Sequence, residues 1–295
     1  MVVSIGHRFL LSLYSLLYGA GLILYAGVAT VRRLTGGRHS PVLARLGPGG
    51  VPPPQERKRG GPTVWIHAVS VGELNAVRPL IQALLAREDI SLVLSTTTST
   101  GQALARRDFA ERATVLYFPV DLRSVCRRYL RRLKPTLVVL AETELWPNFL
   151  TSVRLAEVPV VLINGRLSDA SFRRYRRFAG FFRPLLRSVA HFCMQTKVDR
   201  DRVIELGVDP ERANWIGNLK FDYRRAGSPD QTLLNEGLLR ILRREAADRV
   251  LVCGSTKPGE EGPLAEVAAH LRRDGASLKL VVAPRHPHRG PEVAE

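Results

Sequence analysis

The chain has 295 residues, about two domains' worth, and its 45% hydrophobic content supports packed cores and excludes disorder. Three scattered cysteines, Cys126, Cys193 and Cys253, with no CxxC, CxxH or HExxH, give no disulfide framework and no zinc site. The net charge of +17 and pI near 10.7 favour anionic partners, although only six of the 44 basic residues are lysine and a GC-rich coding sequence alone would produce that bias. No helix-turn-helix, zinc finger or basic strand interleaved with aromatics is present, so acidic lipid or a phosphorylated substrate is expected in place of nucleic acid.

Phe9 to Val31 contains no charged residue and lies between His7-Arg8 and Arg32-Arg33. A helix of that length spans about 34 Å, against a hydrocarbon core of roughly 30 Å. A secretory signal would have an apolar region of only about 7–15 residues. Although Ala26 to Ala29 imitates a cleavage site, the length points to an uncleaved anchor over 1–33. Arg32, Arg33, Arg38 and Arg45 follow the apolar run. The positive-inside rule then puts the globular part in the cytoplasm. A helix lying in the membrane interface is the other reading. Residues 34–62, with Gly47-Pro48-Gly49-Gly50 and Pro52-Pro53-Pro54, read as a linker.

From Thr63 onward strands alternate with helices. Strands are expected at Val64–Ile66, Leu92–Ser95, Val115–Phe118, Thr136–Ala141, Val158–Ile163 and His191–Met194. Helices are expected over Leu74–Arg87, from the Thr96–Gly101 turn to Phe109, over Leu122–Leu133 with Asp121 as N-cap, and from Pro147. A helix rich in arginine and aromatics, Phe172 to Arg187, suits a solvated basic face or a membrane surface. The apolar, β-branched strands argue for a parallel sheet covered on both faces, filling a first domain over 63–216. A second α/β domain begins at 217, with a helix over Gln231–Arg244, strands at Val250–Cys253 and Leu278–Val282, and a helix over Glu260–Arg273.

Polar residues gather where strands end. Glu73 follows Val64–Ile66 and a Ser70-Val71-Gly72 turn, with its helix opening at Glu73 or just after. It either complements the helix dipole or points into the crevice as a general base. Glu142 and Glu144 follow the apolar strand Thr136–Ala141, where like charges raise a pKa or, more plainly, charge a helix N-terminus. Asn164-Gly165-Arg166 offers a tight turn and an arginine for an anion. Asp199-Arg200-Asp201 spells DxD, but at a helix start dipole complementation is the better reading and no metal is assigned. Gly254-Ser255-Thr256 and Arg285-His286 end two further strands and suit a phosphate, without the spacing of a Walker A loop.

Taken together, SVGE at Ser70–Glu73, ETELWPN at Glu142–Asn148, NxRLS at Asn164–Ser168, GNLKFD at Gly217–Asp222, GST…GEE at Gly254–Glu261 and PRHP at Pro284–Pro287 resemble the Kdo (3-deoxy-D-manno-oct-2-ulosonic acid) transferases of lipopolysaccharide synthesis. The resemblance implies a glycosyltransferase-B architecture of two Rossmann-like domains, here with the C-terminal one incomplete. It implies transfer of Kdo from CMP-Kdo to lipid IVA at the cytoplasmic face of the inner membrane, with no cofactor or metal. Glu73 then matches the base and Glu142 the second acidic position, with Glu144 beside it. Ser70, Arg166, Lys220, Ser255, Thr256, Arg285 and His286 become substrate contacts. Two other classes stay open: another nucleotide-sugar enzyme of the same fold, such as an epimerase, and a membrane-bound glycolipid-binding protein without turnover.

Overall fold

The structure is a computed structural model that describes residues 5–34, 42–46, 51–52, 61–221 and 249–294. The helix expected over Gln231–Arg244, residue Asp222 and most of the expected linker lie outside the described residues. The chain divides into two compact units, Met1–Ala226 and Gly227–Glu295.

The first unit begins with helices α1 (Ile5–Leu34) and α2 (Val42–Leu46). Then come β1 (Thr63–His67), α3 (Val71–Leu85), β2 (Ser91–Thr96), α4 (Ser99–Phe109), β3 (Thr114–Tyr117) and α5 (Arg123–Leu133). They are followed by β4 (Leu137–Ala141), α6 (Pro147–Leu155), β5 (Val160–Gly165), α7 (Asp169–Arg177), α8 (Ala179–Leu186), β6 (His191–Met194), α9 (Lys197–Glu205) and β7 (Ala213–Trp215). The strands form one sheet in the order β3-β2-β1-β4-β5-β6-β7, and every pairing is parallel. Successive side chains of a strand point to opposite faces, so each strand feeds two cores. Val64, Ile66, Leu92, Leu94 and Val139 pack with Leu74, Val77 and Ile81 of α3 and Ala105 and Phe109 of α4. Trp65, Val93, Val138, Leu140 and Leu162 pack on the other face with Val125, Tyr129 and Leu133 of α5 and Phe149, Leu150 and Val153 of α6.

This alternation positions the site. The chain runs outward from β1 to β2 and β3, then crosses back to pair β4 with β1. The helix after β1 covers one face and the helix after β4 covers the other. The loops leaving these two strands therefore diverge and open a crevice at their carboxyl ends, as such crossovers do.

Four expectations are corrected. Helix α3 opens at Val71, ahead of Glu73, which falls in its first turn. Asp121 does not cap α5, whose N-cap is Leu122. Its fully buried carboxylate instead accepts the N–H groups of Asn148 (3.1 Å) and Phe149 (2.7 Å), at the start of α6. The Phe172–Arg187 segment is two helices broken at Phe178, which has non-helical angles. Pro184 removes the donor that a continuous helix would aim at Gly180, and the break brings the Phe182 ring to 4.1 Å from that of Tyr175. Strand β7 was not expected; three residues are too few to carry an alternating pattern.

Gly6–Ala29 of α1 is long and apolar enough to cross a membrane, with mean hydropathy 1.7. One side of the helix nevertheless meets the body. Tyr14 donates to the Asp121 carboxylate (2.9 Å), Ser15 donates to the Asn148 side chain (3.0 Å), and the Asp121 N–H donates to the Tyr18 hydroxyl (3.3 Å). Leu11, Tyr18 and Leu22 pack on the core, while Phe9, Leu16, Leu17, Ile23 and Leu24 are exposed.

In the second unit β8 (Arg249–Thr256) pairs in parallel with β9 (Leu278–Pro284). Helix α10 (Glu261–Arg273) connects them, and a short α11 (Gly290–Ala294) follows.

Asp121 thus holds α6 and α1 at once, and replacing it strands three donors. Asp121→Ala is expected to cost about 2–4 kcal/mol of unfolding free energy, read from denaturant titration in detergent. Tyr14→Phe removes one donor only and is expected to cost about 1 kcal/mol. A loss in Asp121→Ala no larger than that of Tyr14→Phe would show that the α6 cap does not depend on this carboxylate.

Candidate active site

Ser70 precedes α3 and Glu73 is its third residue. The Glu73 carboxylate accepts from the Val69 N–H (2.7 Å) and from the Ser70 hydroxyl (3.3 Å), so it does help to satisfy its own helix start. That role alone would favour the anion and lower its pKa. Instead the pKa of Glu73 is pushed up to about 7. Burial is the largest cause, the Val69 bond opposes it, and the charges of Glu142 and Glu144 add to the rise. The two readings of Glu73 are therefore compatible: one carboxylate ties the turn and titrates near neutrality in the crevice.

Glu142 and Glu144 come from the loop after β4, across the crossover from Glu73. Glu142 is held in the left-handed region (φ 57) by its N–H bond to the Ile163 carbonyl (2.9 Å). A non-glycine residue there carries strain of order 1 kcal/mol, typical of functional loops. Its side chain lies 3.9 Å from the Lys220 ammonium. The pKa of Glu144 is raised, first by burial and then by Glu142. Thr143, between them, exchanges hydrogen bonds with the backbone of Arg166 and so ties the β4 loop to the β5 loop. The Arg166 side chain is exposed, and no ion pair holds it among the described residues.

The tight conformation in the β5 loop falls on Asn164 (φ 53), not on Gly165. Gly165 serves packing instead, since a Cβ there would come within 2.5 Å of Leu162 and Met194. The buried Asn164 side chain accepts from the Leu219 N–H (3.0 Å), and its carbonyl accepts from Gln195 (2.9 Å). This brings the Leu219-Lys220 segment to the same end of the sheet. Asp199 accepts from the Leu167 N–H (2.7 Å) and bonds Thr196 at the α9 N-terminus, which is a structural use of the DxD stretch.

In the second unit Ser255 (φ 63) and buried Thr256 end β8, while Arg285 and His286 follow β9. The Arg285 N–H donates to the Thr256 carbonyl (2.9 Å), so these four residues share one strand-end surface. Arg285 and His286 are exposed. Arg289 is spent on Glu261 (2.9 Å) and Glu292 (3.1 Å). The expected residues thus form two sets: Ser70, Glu73, Glu142, Glu144, Arg166 and Lys220 in the first unit, and Ser255, Thr256, Arg285 and His286 in the second. Sequence reasoning passed over Thr143 and Asn164 as positioning residues. Thr143 sits inside a motif chosen for its carboxylates, and Asn164 beside a glycine that took the attention.

A parallel crossover sheet with carboxylates at the switch point, joined to a further α/β unit, defines a two-unit α/β protein of the doubly wound class. Its fold resembles the UDP-GlcNAc 2-epimerase of Neisseria meningitidis bound to UDP-GlcNAc, with a TM-score of 0.54 at 12% identity over 78% of this chain and 68% of that one. That supports the glycosyltransferase-B type of fold. Residues 43–223 match the family model of 3-deoxy-D-manno-octulosonic-acid transferase, and the chain belongs to that family. It is 31% identical over 248 residues to the 3-deoxy-D-manno-octulosonic acid transferase of Haemophilus influenzae, covering 83% of this chain and 55% of that protein. To the Bordetella pertussis transferase it is 32% identical over 242 residues, covering 78% and 54%. A bifunctional glycosyltransferase/methyltransferase of Fusobacterium nucleatum is 32% identical over 232 residues, covering 78% and 35%. The chain spans about half the length of the curated transferases it matches.

The raised pKa of Glu73 carries a stability consequence. The folded state holds its proton more tightly than the unfolded chain, so this group's contribution falls as pH rises from the unfolded value toward about 7. Glu73→Gln keeps the acceptor for Val69 and has no charge to bury. Its Tm is expected to match the parent's near about pH 5 and to exceed it by roughly 2–4 °C near about pH 8. Parallel pH profiles in a thermal scan would show that Glu73 is not shifted.

Proposed function

We propose that this chain takes part in transferring Kdo from CMP-Kdo to lipid IVA at the cytoplasmic face of the inner membrane, with α1 as its attachment. The observation that carries the reading is Glu73: half-buried at the switch point, opposite Glu142 and Glu144, with a pKa near neutrality. A base works best when its pKa lies close to the working pH. In this reading Glu73 takes the proton of the attacking sugar hydroxyl. Glu142, held next to Lys220, and Glu144 orient the acceptor and keep the Glu73 pKa high. Ser70, bonded to Glu73, sets the carboxylate's direction, and Arg166 meets a phosphate of the acceptor. In the second unit Ser255, Thr256, Arg285 and His286 receive the donor, whose departing phosphate gathers negative charge that cations and hydroxyls stabilise in place of a metal. The basic, aromatic-bearing α7, with Arg176 stacked over Phe172 and Arg177 over exposed Phe178, suits the anionic surface from which such an acceptor is drawn.

A second reading is a membrane-bound protein that holds the glycolipid without turning it over. It rests on the basic, aromatic-bearing α7, which suits an anionic glycolipid whether or not transfer follows. Transfer of labelled Kdo from CMP-Kdo to lipid IVA, measured beside lipid IVA binding, separates the readings. Transfer that falls about 10²–10⁴-fold in Glu73→Gln, with binding kept and with the parent's rate rising as pH passes through about 7, supports the base. Binding without transfer supports the second reading. Consumption of a UDP-sugar and indifference to CMP-Kdo would turn both away in favour of epimerase-like chemistry.

A further inference from the structure

We propose that the cavity between α1, α5 and α6 binds the phosphate headgroup of an anionic membrane phospholipid. The cavity has a volume of about 820 Å³ and shares no residue with the carboxylate crevice. Three arginines line it, one from each helix: Arg8, Arg123 and Arg154. No acidic side chain lines it, and none of the three arginines forms an ion pair or side-chain hydrogen bond among the described residues. Three cations gathered round a hollow repel one another, and a phosphate relieves this while matching the guanidinium fork. Ser12 and Thr151 add hydroxyls to the polar lining.

The rest of the lining decides for a lipid. Leu11 and Leu16 of α1 and Leu155 of α6 also line it, so the cavity offers apolar as well as cationic surface. Leu16 is 70% exposed, and neighbouring Phe9 and Leu17 are 68% and 64% exposed. A headgroup seated among the arginines would send its acyl chains along that apolar face of α1. A free phosphate or nucleotide has no use for it. The docking of α1 through Tyr14 and Ser15 onto Asp121 and Asn148 holds the cavity's two walls together. An arginine near an anionic membrane surface is worth roughly a fivefold change in affinity, so three together give an effect on the order of 100-fold. The proposal does not depend on the transfer reaction and stands or falls separately from it.

The test uses the intact chain and vesicles of phosphatidylcholine with and without phosphatidylglycerol, together with native mass spectrometry of the detergent-purified protein. The parent is expected to prefer the phosphatidylglycerol vesicles and to retain that lipid at one per chain. The Arg8→Ala, Arg123→Ala, Arg154→Ala triple variant is expected to lose affinity for those vesicles on the order of 100-fold, with an unchanged melting temperature. A control triple, Arg87→Ala, Arg106→Ala and Arg107→Ala, removes equal charge from exposed positions at the ends of α3 and α4, on the opposite face of the sheet, and is expected to keep the retained lipid. Equal losses in both triples would reduce the effect to net charge and overturn the proposal. Unchanged binding in the first triple would overturn it as well. Displacement of the retained lipid by lipid IVA but not by excess phosphatidylglycerol would assign the cavity to the acceptor and not to a bilayer phospholipid.

Discussion

The pairing of β4 with β1 is the constraint on which the site rests. Val64 to His67 of β1 lie in register with Leu137 to Leu140 of β4. Because β2 and β3 occupy the other side of β1, the chain reverses direction of travel across the sheet at this pair. The connection after β1 leaves toward one face and that after β4 toward the other, and the gap between them is where Glu73 meets the field of Glu142 and Glu144. Shift this register by one residue and the side chains of the displaced strand exchange faces, taking the two cores apart.

A second layer of organisation is polar and buried. Asp121 sits at the end of the β3 connection, yet its carboxylate closes the N-terminus of α6, whose preceding loop carries Glu142 and Glu144. The same carboxylate takes the Tyr14 hydroxyl of α1. An anion without hydrogen-bond partners in this position would be costly. Its donors come from two parts of the chain far apart in sequence, Tyr14 and the Asn148-Phe149 pair, so the apolar helix α1 and the carboxylate loop share one anchoring point. Thr143 and Asn164 extend this arrangement by pinning the β4 loop to Arg166 and the Leu219-Lys220 segment to β5.

The electrostatics follow from this packing. Most of the chain's excess positive charge lies on exposed arginines, while the acidic side chains of the first unit's crevice are drawn together and half-buried. Concentrating carboxylates where water is scarce raises their proton affinity, which turns an ordinary glutamate into a group that exchanges protons near neutrality.

Much of this was legible from residues alone. Apolar β-branched runs separated by amphipathic segments determined a parallel α/β sheet, because buried parallel strands tolerate little else. The uncharged run from Phe9 to Val31 determined a long apolar helix, and the ordered motifs pointed to the family and to Glu73, Glu142 and Lys220. Tertiary structure alone decided which helix Asp121 caps, that Phe172 to Arg187 breaks in two, that Asn164 and not Gly165 takes the left-handed turn, and that three arginines from α1, α5 and α6 face one hollow. Local patterns report on neighbours one or two turns away. A buried carboxylate chooses its partners from whatever the sheet brings close, and the titration of Glu73 is set first by its burial, with two glutamates about seventy residues further along the chain adding to the rise.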